Sequence, residues 1–268
     1  MVSDSCKKRF GKIMLEQMEL LNQVEIAPNI FSMLLKGQMV SQMQAGQFLH
    51  IRVPDDSKLL RRPISIAEID RENLTCRIIY RIEGGGTAIF SQLTDGALLD
   101  VMGPQGNGFD LSPVKRGDQA LIIGGGIGVP PLLEVAKELH AKGAQMTAVL
   151  GFADKSAVIL EEEMKKYAEV IVTTDNGSYG RQGYVSAVVD ELSQDYAAVY
   201  SCGAPAMLKY VDRKFQDHPH AYLSMESRMA CGMGACYACV VHLAGQDESV
   251  NKRVCEDGPV FETGTIVV

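Results

Sequence analysis

The hydrophobic pattern of this chain changes period once, at FDLSPVKRGD, Phe109 to Asp118. Before that point it shows short alternating or β-branched runs such as QFLHIRVP and LTCRIIYRI. These are bounded by turn residues, among them Pro54-Asp55-Asp56 and Gly84-Gly85-Gly86. Many short strands separated by turns predict a barrel or sandwich. After that point strands alternate with helices. QALIIGGG reads as a buried strand running into glycines. PPLLEVAKELHAKG has helical spacing, with Leu132, Leu133, Ala136 and Leu139 on one face, Pro130 and Pro131 in its first turn and Gly143 at its end. AQMTAVLGF, EVIVTTD and AAVYSCG read as further strands, GYVSAVVDEL and PAMLKYVDRKF as helices, and AVILEEEMKKYA as a mixture. Such alternation predicts a doubly wound parallel sheet. A second break falls at QDHPHAYLS, Gln216 to Ser224. The chain therefore divides into residues 1–111, 112–218 and 219–268. The last unit is near the size that needs a metal or another staple.

The formal net charge is −7, and no Lys/Arg-rich run appears, so nothing directs the chain toward nucleic acid. The opening MVSDSCKKRFGKIMLEQ has no apolar stretch of the signal-peptide kind, and no apolar run reaches the roughly 18 residues of a membrane-spanning helix. The expectation is a cytoplasmic protein with no membrane contact. A reducing compartment and an odd number of cysteines, seven, argue against a disulfide framework.

Four of those cysteines stand as Cys231-x4-Cys236-x2-Cys239, with Cys255 after a further fifteen residues. This is the ligand spacing of plant-type [2Fe–2S] clusters. Gly232 and Gly234 allow positive φ and let backbone N–H groups approach the sulfurs. Zinc is the nearest rival and ranks below it, because structural zinc sites use two short Cys/His pairs rather than a triplet and a distant single. Inert buried thiols are the bland reading, which is the default for Cys6, Cys76 and Cys202.

Gly124, Gly125, Gly126 and Gly128 lie between a strand and a helix, where backbone N–H groups favour a phosphate. The run is not G-x-G-x-x-G, since Val129 takes the last glycine's place, and no clear acidic residue follows at the expected strand end. In RRPIS an arginine can pair a pyrophosphate and a serine can hydrogen-bond a flavin edge, although a solvated Arg pair at a turn is equally ordinary. IYRIEGGGT offers Tyr80 for stacking and Gly86-Thr87 for a phosphate, against the plain reading of a hairpin with a core-facing tyrosine. No Ser-His-Asp set or carboxylate pair stands out, so no catalytic acid–base residue is nominated. His218-Pro219-His220 reads as a solvated linker.

Taken in order, AGQFLHIRVP, LLRRPISI, IYRIEGGGT, GPQGNGFD, GGGIGVPPLLEVAKEL, TTDNGSYGRQGYV, VYSCGAPAML, ESRMACGMGACYACVV and RVCEDGPVF resemble one family over nearly the whole chain from about residue 45. It is the electron-transfer subunits of NAD-dependent, B-type dihydroorotate dehydrogenases, within the ferredoxin-reductase superfamily. The resemblance implies an FAD-binding antiparallel β-barrel, an NAD-binding α/β domain and a small C-terminal [2Fe–2S] domain. It implies FAD contacts at Arg62, Pro63, Ile64 and Ser65, at Ile79, Tyr80 and Arg81, and at Gly86 and Thr87. NAD is expected at Gly124, Gly125, Gly126, Gly128, Cys202 and Gly203, and the cluster on Cys231, Cys236, Cys239 and Cys255. Ile64 stands where the superfamily usually has tyrosine, implying an aliphatic flavin contact, and Ala204 is inserted before Pro205.

The implied function is an electron relay in de novo pyrimidine biosynthesis. Electrons would pass from the FMN of a dihydroorotate-oxidising partner, through [2Fe–2S] and FAD, to NAD⁺, in a heterotetramer with two copies of each subunit. FAD belongs in the middle because NAD exchanges electron pairs and the cluster single electrons. One alternative is the FAD/[2Fe–2S] subunit of an NAD(P)H-linked ferredoxin reductase or sulfhydrogenase. Another is a zinc-stabilised module that senses a nucleotide without turnover.

Overall fold

The computed structural model describes residues 14–192, 195–247 and 249–268. Cys6 and the first thirteen residues of the expected barrel unit lie outside them. Six strands close a barrel: β1 (Met14–Ala27), β2 (Ile30–Lys36), β3 (Phe48–Ile51), β4 (Arg62–Asp70), β5 (Thr75–Arg81) and β6 (Leu98–Gln105). Their order around it is β1-β2-β5-β4-β3-β6, and all pairs are antiparallel. Alternating residues such as Met33, Leu35, Leu49, Ile51, Ile66 and Ile78 fill the interior. A short helix, α1 (Gly85–Phe90), drops Phe90 into the same core.

Beyond residue 118 the period changes as expected. Strands β7 (Gln119–Gly125), β8 (Gln145–Phe152), β9 (Glu169–Thr174), β10 (Arg181–Gln182), β11 (Ala198–Cys202) and β12 (Ala221–Ser224) form a parallel sheet, ordered β10-β9-β8-β7-β11-β12. Helix α2 (Pro130–Ala141) covers one face with Leu132, Leu133, Ala136 and Leu139 over Ile122 and Leu150. AVILEEEMKKYA, expected to mix strand and helix, holds no strand: it starts on the last residue of a 3₁₀ turn (Lys155–Ala157) and leads into α3 (Glu161–Met164). The other face receives Val188 of α4 (Val185–Glu191) and Leu208, Val211 and Phe215 of α5 (Pro205–Phe215), over Leu121, Ile123 and Val149. Both faces are buried, which is why β7 reads as a continuous apolar run.

The third unit is smaller and less separate than a boundary after residue 218 suggests. Strand β12 lies beyond that point, yet runs parallel to β11 in the central sheet. The cluster segment then carries a two-stranded ribbon, β13 (Val240–His242) and β14 (Asn251–Arg253). Its last strand, β15 (Val260–Glu262), returns antiparallel to β12 and caps the sheet edge. A shared core of Met229, Cys239, Val254, Cys255, Phe261 and Ile266 packs against Phe48 of the barrel.

Barrel and α/β unit also share buried side chains: Ile30, Ala67 and Ile79 pack in one cluster with residues of α2 and its sheet. At the seam Glu134 of α2, whose side chain is 1% exposed, accepts from the backbone N–H of Ile69 at 2.8 Å, and Lys137 donates to the Ile69 carbonyl at 2.6 Å. The two also pair at 3.1 Å.

Candidate electron-transfer site

The four cysteines come together at the end of the barrel nearest β3 and β6. Cys239 and Cys255 are buried, Cys231 is half-buried and Cys236 is exposed. The thiols approach in two pairs, Cys231 with Cys236 and Cys239 with Cys255. Among the described residues no three His, Cys, Asp or Glu side chains stand together as ligands of a single metal ion. Two pairs suit a two-iron core in which each iron takes two thiolates. The loop already aims donors at sulfur: Gly234 N–H at Cys255 Sγ, 3.1 Å, Met233 N–H at Cys231 Sγ, 3.4 Å, and Cys255 N–H at Cys239 Sγ, 3.5 Å.

Gly232 and Gly234 have φ of 68° and 78°, a region that a side chain strains. A Cβ on Gly234 would also lie 1.8 Å from Glu256 Oε2. Arg253 braces the loop, donating to the Gly234 carbonyl at 2.9 Å and lying 5.0 Å over the exposed Tyr237 ring. Backbone donors around Cys236, that of Cys231 foremost, bring its thiol down to about 7, whereas burial and the neighbouring Cys239 push Cys255 up to about 12.

The expected flavin residues line a split in the barrel. Strands β4 and β5 are paired from Ile66 and Ile78 onward, so residues 62–65 and 79–81 part at the mouth. Residues 62–65 pair instead with β3, which sets Pro63 opposite His50 and Ser65 opposite Phe48. Ile64 alternates with them; it is half-buried and packs in part against the barrel core. Tyr80 also turns inward. Its ring is 2% exposed inside the barrel, stacked on Phe31 at 5.8 Å, and its hydroxyl donates to Gln23 at 2.9 Å. At this tyrosine the mouth offers main chain and no ring. Ile79 faces outward and is buried against the α/β unit, and Arg81 pairs with Glu83.

Arg62 lies against Gly86 so closely that a Cβ there would be 2.6 Å from its Nε, and Lys58 Nζ lies 3.5 Å from a Cβ built on Gly85. Thr87 Oγ1 accepts from the Glu83 N–H at 3.0 Å and fixes the turn into α1. Two cations over glycine backbone, beside a mouth of unpaired strand edges, fit a dinucleotide with a pyrophosphate.

The central sheet reverses direction of strand order between β7 and β11, the place where such sheets bind ligands. There Gly124–Gly128 and Cys202-Gly203 meet backbone to backbone. A Cβ on Gly128 would lie 2.5 Å from the Cys202 carbonyl, and one on Gly203 3.0 Å from Gly125 N. Cys202 contributes only backbone to this crevice, since its thiol is 1% exposed and burial raises its pKa. The turn at 126–128 packs against β5 of the barrel.

Sequence reasoning passed over three groups. Asp154, two residues past β8, is the acidic group near a strand end; it caps the 3₁₀ turn through Ser156 N–H at 2.7 Å. His50 and Gln105 are buried beside the cluster loop. A single histidine in QFLHIRVP carries no spacing signal, and only the strand register reveals what it faces. The expected solvated linker at His218 is corrected: its Nε2 lies 2.9 Å from the Tyr196 carbonyl, its ring packs edge-on against Phe215, and its Nδ1 accepts from the His220 N–H.

Comparison with known proteins agrees with this layout. Residues 226–267 match the model of the iron–sulfur cluster binding domain of dihydroorotate dehydrogenase B, and residues 122–213 that of the oxidoreductase NAD-binding domain. The chain is 69% identical to the dihydroorotate dehydrogenase B (NAD(+)) electron transfer subunit of Streptococcus mutans, over 96% of this chain and 99% of that one. Among solved structures it resembles that of an NADH-dependent reduced ferredoxin-NADP oxidoreductase involved in flavin-based electron bifurcation, with TM-score 0.82 and 29% identity, covering 94% of this chain and 90% of the other. Phthalate dioxygenase reductase shares the fold at TM-score 0.63 and 18% identity, covering 90% and 94%.

Proposed function

Because the chain belongs to the family of electron transfer subunits of dihydroorotate dehydrogenase B (NAD(+)), we propose that its barrel arranges the stations of an electron relay side by side. The chain is an oxidoreductase subunit, and its groups are FAD, [2Fe–2S] and NAD. One observation carries the arrangement, the strand order β5-β4-β3-β6. The nicotinamide crevice abuts β5, the flavin motif lies on β4, and the cluster loop covers β3 and β6. The barrel unit, the α/β unit, whose sheet extends through β12, and the segment that carries the cysteines each bring one group to this array.

Bound FAD supplies the conversion between electron pairs and single electrons. The chain's own residues do the rest. Arg62 and Lys58 hold the pyrophosphate beside Gly86 and Thr87. Pro63, Ser65 and the main chain of Ile64 and 79–81 line the flavin slot. Gly124, Gly125, Gly126, Gly128 and the Cys202-Gly203 backbone leave room for NAD between β7 and β11. Cys231, Cys236, Cys239 and Cys255 would hold the cluster, and the N–H groups of Met233, Gly234 and Cys255 would stabilise its thiolates and tune the potential. Burial of Cys239 and Cys255 keeps water from the inner edge; Cys236 and Tyr237 are exposed at the outer one.

That outer edge is the port to a catalytic partner subunit, which we take to carry FMN and to assemble as two copies of each chain. The free cysteines of the described residues support a reducing cytoplasm, and no helix among them is long and apolar enough to cross a membrane. The likeness to a ferredoxin-NADP oxidoreductase favours a second reading, a ferredoxin-linked partner. Purification with the native partner decides between them. Flavin and iron–sulfur absorption together with dihydroorotate-dependent NAD⁺ reduction is the expected result; a partner without FMN and no such reduction overturns the first reading.

A further inference from the structure

Between the strand bearing Pro63 and Ser65 and the loop bearing Cys231 stands His50, on the outer side of β3. Its ring is fully buried, and neither Nδ1 nor Nε2 has a hydrogen-bond partner. The carbonyls of Arg61 and Cys231 face it outside bonding geometry. Gln105 of β6 is 2% exposed, and its Oε1 and Nε2 are equally unpartnered. Both side chains crowd Gly232, where a Cβ would meet His50 Nδ1 at 2.3 Å and Gln105 Oε1 at 2.9 Å.

Each unmet buried polar group costs about 1–3 kcal/mol, and an apolar pair of similar volume would carry no such cost. Four such atoms in one place therefore point to a polar group that enters when the protein is loaded. The register says where it comes from. His50 lies directly across from Pro63 in the β3–β4 pair, and Gln105 across from Phe48 in the β3–β6 pair. Residues directly opposite share a face of the sheet. The imidazole thus has the flavin slot on one side and the cluster turn on the other.

We propose that His50, supported by Gln105, bridges the two prosthetic groups: it hydrogen-bonds the polar edge of the bound flavin while seating the Gly232 turn, and so fixes the flavin–cluster separation. This rests on the relay reading above, and it gives no proton-transfer task to the ring.

The test uses the FAD- and cluster-loaded complex. NADH delivers a hydride, carrying two electrons, to the flavin; one electron then passes to the oxidised, EPR-silent cluster while the other stays on the flavin, and the paramagnetic signal of the reduced cluster is followed by freeze-quench EPR. His50→Leu should retain the cluster and slow its reduction at least about tenfold after flavin bleaching, or shift the flavin–cluster equilibrium about tenfold, ~59 mV for a one-electron couple. His50→Asn should recover part of the loss, and Gln105→Leu should show a smaller change. Loss of FAD from His50→Leu with the cluster intact also supports the contact. Wild-type rate and potentials in His50→Leu, with both groups bound, overturn the proposal alone. Absence of a cluster signal in the wild-type complex after NADH overturns the relay reading and the proposal together. Should His50→Leu fail to fold, unchanged kinetics in both His50→Asn and Gln105→Leu overturn it.

Discussion

At the scale of single residues, Cys255 and Gly234 carry the cluster loop. Cys255 is buried and takes the Gly234 N–H, so its sulfur is bound from two directions once iron is present. Cys255→Ser should abolish iron–sulfur absorption and the EPR signal while FAD stays bound. Gly234→Ala combines a strained φ of 78° with a Cβ 1.8 Å from the Glu256 carboxylate, and should lower cluster occupancy severely. Gly245→Ala is its control, with a similar φ of 69° and open space around it, and should cost only about 1 kcal/mol in a denaturation experiment. The cysteines were legible in the sequence because a cluster dictates spacing. Which way His50, Ile64 and Tyr80 face was not legible, because it depends on strand register, and register is set by partners far along the chain.

Among elements, helix α2 ties the α/β unit to the barrel. Removing the Glu134 carboxylate strands the buried Ile69 N–H and leaves Lys137 with only the Ile69 carbonyl, so Glu134→Ala should destabilise by about 1–3 kcal/mol. Burial pushes the Glu134 carboxyl above its ordinary range, more than Ile69 and Lys137 lower it. The folded state therefore holds this proton at pH values where the unfolded chain has released it. That contribution to stability is complete below the ordinary carboxylate pKa and is lost as pH rises through the raised one. Glu134→Gln should flatten this slope when denaturant midpoints are measured against pH. Just before α2, Gly128→Ala would press on the Cys202 carbonyl and widen the β7–β11 crevice; NADH affinity should fall at least about tenfold with the cluster spectrum unchanged. The start of α2 was plain from Pro130 and Pro131, and the strand–helix alternation from period alone. The joining of β15 to β12 was not, since three residues returning antiparallel to a parallel sheet leave no periodic trace.

For the molecule as a whole, the barrel is the frame on which the stations are hung. Stripping the cluster with a chelator and reductant should leave NADH-dependent reduction of a soluble dye at the flavin but end NAD⁺ reduction driven by dihydroorotate through the partner. Retention of the latter would mean that electrons bypass the cysteines. Because Ile30, Ala67 and Ile79 share a core with α2 and its sheet, barrel and α/β unit have little freedom to rock against each other.

The strand that closes the sheet has a consequence for the order of events at birth. Chains are made and folded from their N-terminus. Until residue 262 has been synthesised, β12 presents an unpaired edge, the kind of surface that recruits foreign strands. The cluster cysteines, 231 to 255, are all made within that interval. The strand that covers this edge therefore reaches it only by way of the segment that carries all four cluster cysteines.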